Sequence, residues 1–151
     1  MAAVDLACAS GTIIGVSEPF EAFLAKHDAH LAAEDAVLAP AYEALLDSSA
    51  KAKIASSDAE VSKLIIRVKD MEHAKDFANF LMSWKQLSSS MVDHITMEEA
   101  LAISKIGASS NAPTLLECFK RELAKSSCAT PGCAKTKGCD ASHIRILGQA
   151  L

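Results

Sequence analysis

Five side chains on two stretches of this chain combine imidazole nitrogen with carboxylate oxygen at helical spacing. His27, His30 and Glu34 are separated by three and four residues, and His94 and Glu98 by four. Residues three and four apart are neighbours on one side of a helix. That side is apolar here: His27 continues the step from Phe20 and Phe23, Glu34 falls between Leu31 and Leu38, and His94 follows Leu87 and Met91. A carboxylate on such a face loses its water, which is costly unless something pairs with it. The two stretches also match each other. His30-Leu-Ala-Ala-Glu34-Asp35-Ala36 lines up with His94-Ile-Thr-Met-Glu98-Glu99-Ala100 as His, aliphatic, two residues, Glu, acid, Ala. Two such pairs on facing helices make a nitrogen/oxygen site inside a bundle that suits iron, manganese or zinc. His27 would supply a third nitrogen, and Asp35 and Glu99 would support the ligands from behind. The plainer alternative is core histidines bonded to carbonyls and ion-paired glutamates. Glu18, Glu21, Asp58 and Glu60 read as first-turn charges that the helix dipole favours.

A second constellation closes the chain. Cys128-x4-Cys133-x5-Cys139-x3-His143 offers four ligands within sixteen residues, with Pro131-Gly132 and Gly138 turning the backbone ahead of two of them. That set suits tetrahedral zinc. Too few apolar residues lie there for a separate core, so the metal would supply the folding energy. A tail with coincidental cysteines, or a disulfide in an oxidising compartment, are the alternatives. The spacing resembles CCCH zinc fingers, whose use is RNA binding. Such fingers stack bases on aromatic rings, and no aromatic follows Phe119, which argues against nucleic acid as a partner. Cys8 and Cys118 read as core or helix-surface thiols.

Helices must position these groups. Ser17, Glu18 and Pro19 read as a helix start. The stripe Phe20, Phe23, Leu24, Leu31, Leu38, Leu45 carries that helix onward, with an interruption at Pro40 and an end at Asp47-Ser48-Ser49. Ser57-x-x-Glu60 reads as a capping box opening a second helix, with Val61, Leu64, Ile65 and Val68 as its apolar face. A third run holds Phe77, Phe80, Leu81, Trp84, Leu87, Met91, Ile95 and Leu101. One helix over 58–106 would be too long for a compact domain, so the chain must fold back near 70–75 or at Ser88–Ser90. In the first case His73 sits at a loop. Gly107 to Pro113 is a loop, and Thr114-x-x-Glu117 opens a last amphipathic helix. No segment shows strand alternation. The expectation is an all-α fold, a helix bundle over residues 1–126 with a Cys/His-rich appendix over 127–151.

Composition agrees. The chain has 151 residues, 50% hydrophobic and 23% charged, with six glycines and four prolines. That excludes wholesale disorder and disfavours a turn-rich all-β fold. No run approaches a membrane span, and the start lacks a basic leader before its apolar patches. The expected location is cytoplasmic or nuclear, where cysteines are thiols or metal ligands. The net charge of −4 is uneven: residues from Lys120 onward carry +4 and the rest −8, a basic end that could dock on an acidic body or a protein partner.

His30-Leu-Ala-Ala-Glu34-Asp35-Ala-Val-Leu38-Ala-Pro40 is similar to the second-helix motif of hemerythrin-like, or HHE cation-binding, domains, and Leu87 to Leu101 resembles their fourth-helix motif. The resemblance covers roughly residues 17–106. It implies a four-helix bundle with a non-haem iron centre, bridging carboxylates at Glu34 and Glu98, and histidines outside them. Family roles include dioxygen binding, oxygen or iron sensing, iron storage and nitric-oxide-related repair. The family also places histidines on its first and third helices, whereas none occurs before Ser17 or within 57–72. The implied centre is therefore reduced, or the fold has lost its metal. No nucleophile elbow, phosphate loop or dinucleotide fingerprint occurs, so the expected role is binding rather than catalysis. The alternative is a metal-free helical interaction module with a zinc-stabilised tail.

Overall fold

The computed structural model describes residues 1–127, and these are helical without any strand. In chain order the elements are α1 (Ala2–Cys8), α2 (Ile14–Ala33), a π-helical segment (Glu34–Leu38), α3 (Ala39–Leu45), α4 (Ser48–His73), α5 (Phe77–Glu98), a second π-helical segment (Glu99–Ile103), α6 (Ser104–Gly107) and α7 (Ala112–Ser127). Among the described residues no helix is long and apolar enough to cross a membrane. Cys128, Cys133, Cys139 and His143 lie outside the described residues.

The chain divides into two compact units. The first comprises Met1–Leu24 with Asp47–Ala100. Its core joins Val4 of α1, Val16, Phe20, Phe23 and Leu24 of α2, Val61, Leu64, Ile65 and Val68 of α4, and Phe80, Trp84 and Leu87 of α5. The stripes expected over 61–68 and 77–91 are thus the buried faces of an α4–α5 hairpin. The second unit comprises Ala25–Leu46 and, among the described residues, the chain from Leu101. Its core is Ala33, Val37, Leu38, Ile106 and Phe119, with Tyr42, Ile103, Leu115 and Leu123 packed against it.

Helix starts differ from the sequence reading. Helix α2 begins at Ile14 rather than at Ser17. Thr12 Oγ1 accepts the Gly15 N–H at 3.4 Å, and the earlier start puts Val16 fully into the core. Ser17 turns its hydroxyl to the Glu72 carboxylate instead. Helix α4 begins at Ser48, not at a capping box on Ser57, because Asp47 is the cap: its Oδ1 accepts the Ala50 N–H at 2.8 Å. An aspartate cap followed by a run of Ala, Lys and Ile outcompetes a serine inside good helix formers. Pro40 falls at the start of α3, directly after the first π segment, where the Ala39 N–H reaches five residues back to the Glu34 carbonyl. The wider turn absorbs the donor that proline lacks, and the helix continues.

The fold-back falls at 74–76. The Lys75 N–H donates to the Glu72 carbonyl and the Asp76 N–H to the Met71 carbonyl, both at 3.0 Å, a Schellman closure. Lys75 occupies the left-handed position usually taken by glycine, with φ of 56°. Its ammonium lies 2.7 Å from the Glu72 carboxylate, and together with the Ser17 hydroxyl it holds that carboxyl below its usual range. Lys75→Gly and Lys75→Ala both lose this pair, but only alanine keeps the strain. The glycine variant should therefore be more stable than the alanine variant by about 1 kcal/mol, read from urea midpoints. Equal midpoints would remove the strain argument.

Candidate functional site

Each of the two matched turns brings its nitrogen and oxygen together, within its own unit. In the second unit, His30 Nε2 stands 2.7 Å from Glu34 Oε1, a contact made by four-residue spacing from the last turn of α2 to the first residue of the π segment. Both side chains are partly buried, and the His30 ring meets the Phe119 ring of α7 edge-on with centroids 5.7 Å apart. His27 lies one turn earlier with its side chain 8% exposed, and its Nδ1 is 3.7 Å from Asp28 Oδ1. Burial lowers its pKa against the opposing pull of Asp28. Asp35 is exposed to solvent.

The shift at His27 fixes a pH dependence. A folded-state pKa below the ordinary 6.5 means that the native chain binds this proton less well than the unfolded chain. The stabilisation is complete above pH 6.5 and is lost as the pH falls toward the lowered value. His27→Gln should flatten the stability–pH curve just below pH 6.5, measured by urea unfolding at fixed pH steps. An unchanged slope would sink the assignment. The neutral imidazole is also the form that binds a metal.

In the first unit, His94 and Glu98 are buried on α5, 9% and 6% exposed. His94 Nε2 is 3.6 Å from Glu98 Oε2 and 3.5 Å from Asp58 Oδ1 of α4. His94 Nδ1 is 3.2 Å from Ser57 Oγ. Asp58 is therefore no first-turn charge: with α4 starting at Ser48, it lies mid-helix and faces α5. A signal for it exists in the sequence. Ile54, Asp58, Val61, Ile65, Val68 and Glu72 step by four and three residues, so Asp58 and Glu72 are acidic members of the apolar stripe. His73 is exposed at the end of α4, beside the turn.

Both turns are followed by a widened helical segment. The first begins at Glu34 itself and the second at Glu99, immediately after Glu98. Single π turns inside α-helices are rare and concentrate at functional sites, and here the sequence match between the two stretches extends to backbone form. The donor types, imidazole nitrogen and carboxylate oxygen, fit iron, manganese or zinc. Among the described residues, however, no group of three or more His, Cys, Asp or Glu side chains could hold a metal ion. No family model, no curated protein and no solved structure matches the chain.

Proposed function

We propose that this chain is a hemerythrin-like metal-binding protein, a four-helix bundle whose two His-x-x-x-Glu turns supply donors to non-haem iron. His30 and Glu34 on one stretch and His94 and Glu98 on the other are the proposed ligands, with His27 as the additional nitrogen. The observation that supports this reading most is the double coincidence of motif and backbone: each Glu of the matched pairs stands at the entrance to a π segment. Iron bound to such a donor set would supply a redox-active centre able to take up dioxygen. The protein's own part is to hold imidazole nitrogens and carboxylate oxygens on partly buried helix faces, so that solvent has restricted access. The tail zinc at Cys128, Cys133, Cys139 and His143 belongs to the same proposal on its spacing alone.

The test is metal content and the visible spectrum after aerobic purification. Iron with a near-ultraviolet oxo-bridge band, together with about one zinc that Cys139→Ser removes, supports the reading. One zinc with no iron supports the other one, a metal-free helical interaction module with a zinc-stabilised tail. A specific observation favours that second reading: His30 and Glu34 are already within direct pairing distance of each other, as an ion pair without metal would be.

A further inference from the structure

We infer that α1 is a displaceable strap, which swings on the loop around Gly11 and uncovers Trp84 while the α4–α5 hairpin stays folded. This is independent of metal binding, and every part involved lies in the first unit. Helix α1 has little of its own to keep it formed. It runs for seven residues, Ala2–Cys8, and no side chain caps its start. Isolated helices shorter than about 12–15 residues are marginal in water, so α1 depends on what it packs against. Val4 is its one buried residue, at 0% exposure, and Ala7 and Cys8 are half-buried against the same cluster. Its other residues are exposed, Leu6 by 77%. The remaining buried members of the cluster come from α2, α4 and α5, so that core persists when α1 leaves.

The polar tie between strap and hairpin is built to be broken and remade. The Trp84 indole N–H donates to Asp5 Oδ1 at 2.7 Å. Its two ends differ: Asp5 is exposed, whereas Trp84 is 1% exposed. With α1 in place, Asp5 satisfies an otherwise buried donor. With α1 displaced, water reaches both groups, so neither state leaves a polar group unpaired. The hinge is equally defined. The N–H groups of Ala9, Ser10 and Gly11 donate to the carbonyls of Leu6, Ala7 and Cys8 and close the end of α1. Gly11 then turns the chain with φ of 73°, and nothing lies within 4 Å of the place a β-carbon would take. Ser10, Gly11 and Thr12 are exposed, so the loop can rotate without displacing packed side chains. A left-handed turn there is unstrained for glycine and strained for alanine.

Native-state hydrogen exchange on the full chain tests the strap, with acrylamide quenching as a second readout, because Trp84 is the only tryptophan. The amides of residues 5–8 should exchange at least 100-fold faster than those of Phe80 to Leu87, through a local opening that low urea leaves unchanged. Asp5→Ala strands the indole donor in the closed state. It should raise the opening of α1 and the quenching of Trp84 about 10-fold, with α5 still protected. Asp5→Asn keeps an acceptor oxygen and should stay within about twofold of wild type. Gly11→Ala should open α1 severalfold through backbone strain. Wild-type α1 amides protected as strongly as those of α5 would overturn the strap, since α1 would then leave only on global unfolding. So would an Asp5→Ala variant in which α1 and α5 lose protection equally. Faster exchange in α1 with Trp84 quenching unchanged would overturn the claim that α1 covers the indole.

Discussion

Trp84→Ala should destabilise the first unit by about 3–5 kcal/mol, the largest loss expected from any single side chain described here. Trp84 is 1% exposed. Its ring meets Phe23 edge-on at 5.1 Å and Phe20 at 6.1 Å, and Phe20 in turn meets Phe80 at 5.5 Å. Truncation opens a cavity among rings held by α2 and α5, which cannot all move in to fill it. The indole N–H also donates to Asp5 Oδ1 at 2.7 Å. That bond adds little to the loss, because Asp5 is exposed and regains water when its partner goes. The cavity therefore dominates. Trp84→Phe keeps most of the ring volume but loses the same hydrogen bond, so it should cost under half as much. Urea unfolding with an unchanged slope checks both. Equal losses in the two variants would mean that the hydrogen bond, and not the packing, is the larger effect.

On the iron-binding reading proposed above, exchanging Glu34 and Glu98 together for glutamine should abolish iron binding and leave a folded helical protein. Glutamine matches glutamate in shape, and its amide can still pair with His30 across the 2.7 Å that separates the present partners. What the exchange removes is the anionic oxygen that a hard cation requires. The expected result is loss of iron from near wild-type stoichiometry to background, with helix content within a few per cent of wild type. Iron retained at full stoichiometry in the folded double variant would end the assignment of these carboxylates.

The parts of the fold that the sequence displays are those where one strong periodic signal has no local rival. The run from Phe77 to Met91 buries Phe80, Trp84 and Leu87 as its spacing requires. Helix ends are harder because caps compete: Ser57 and Glu60 look like a start only if Asp47, ten residues earlier, is read as an end. The 74–76 turn carries no glycine at its left-handed position, and Lys75 takes that conformation under the hold of the Schellman bonds and Glu72. In the candidate site, the pairings His30–Glu34 and His94–Glu98 follow from four-residue spacing alone. Asp58 and Ser57 were hidden for a different reason. Their role depends on which helix faces α5, and that depends on where the chain folds back. The π segments left no trace at all in the apolar stripe, since a single widened turn shifts the pattern by less than its own irregularity.

The closure at Lys75 also sets an order of events in time. Helices α4 and α5 are joined by three residues, 74–76, so their pairing needs little loop-closure entropy and can form within the folding transition state. The ties that bring the N-terminal segments to this hairpin span far more chain: Trp84 to Asp5 across 79 residues, and Glu72 to Ser17 across 55. They should form after the rate-limiting step. Leu64→Ala, between α4 and its neighbours, should slow refolding, whereas Val4→Ala should leave the refolding rate nearly untouched and speed unfolding. Stopped-flow rates of the two variants decide it, and a Val4→Ala chain that refolds as slowly as Leu64→Ala would reverse the order. The hairpin is then the kinetic seed of the first unit, and the N-terminal helices act as the clamp that determines how long the native state survives.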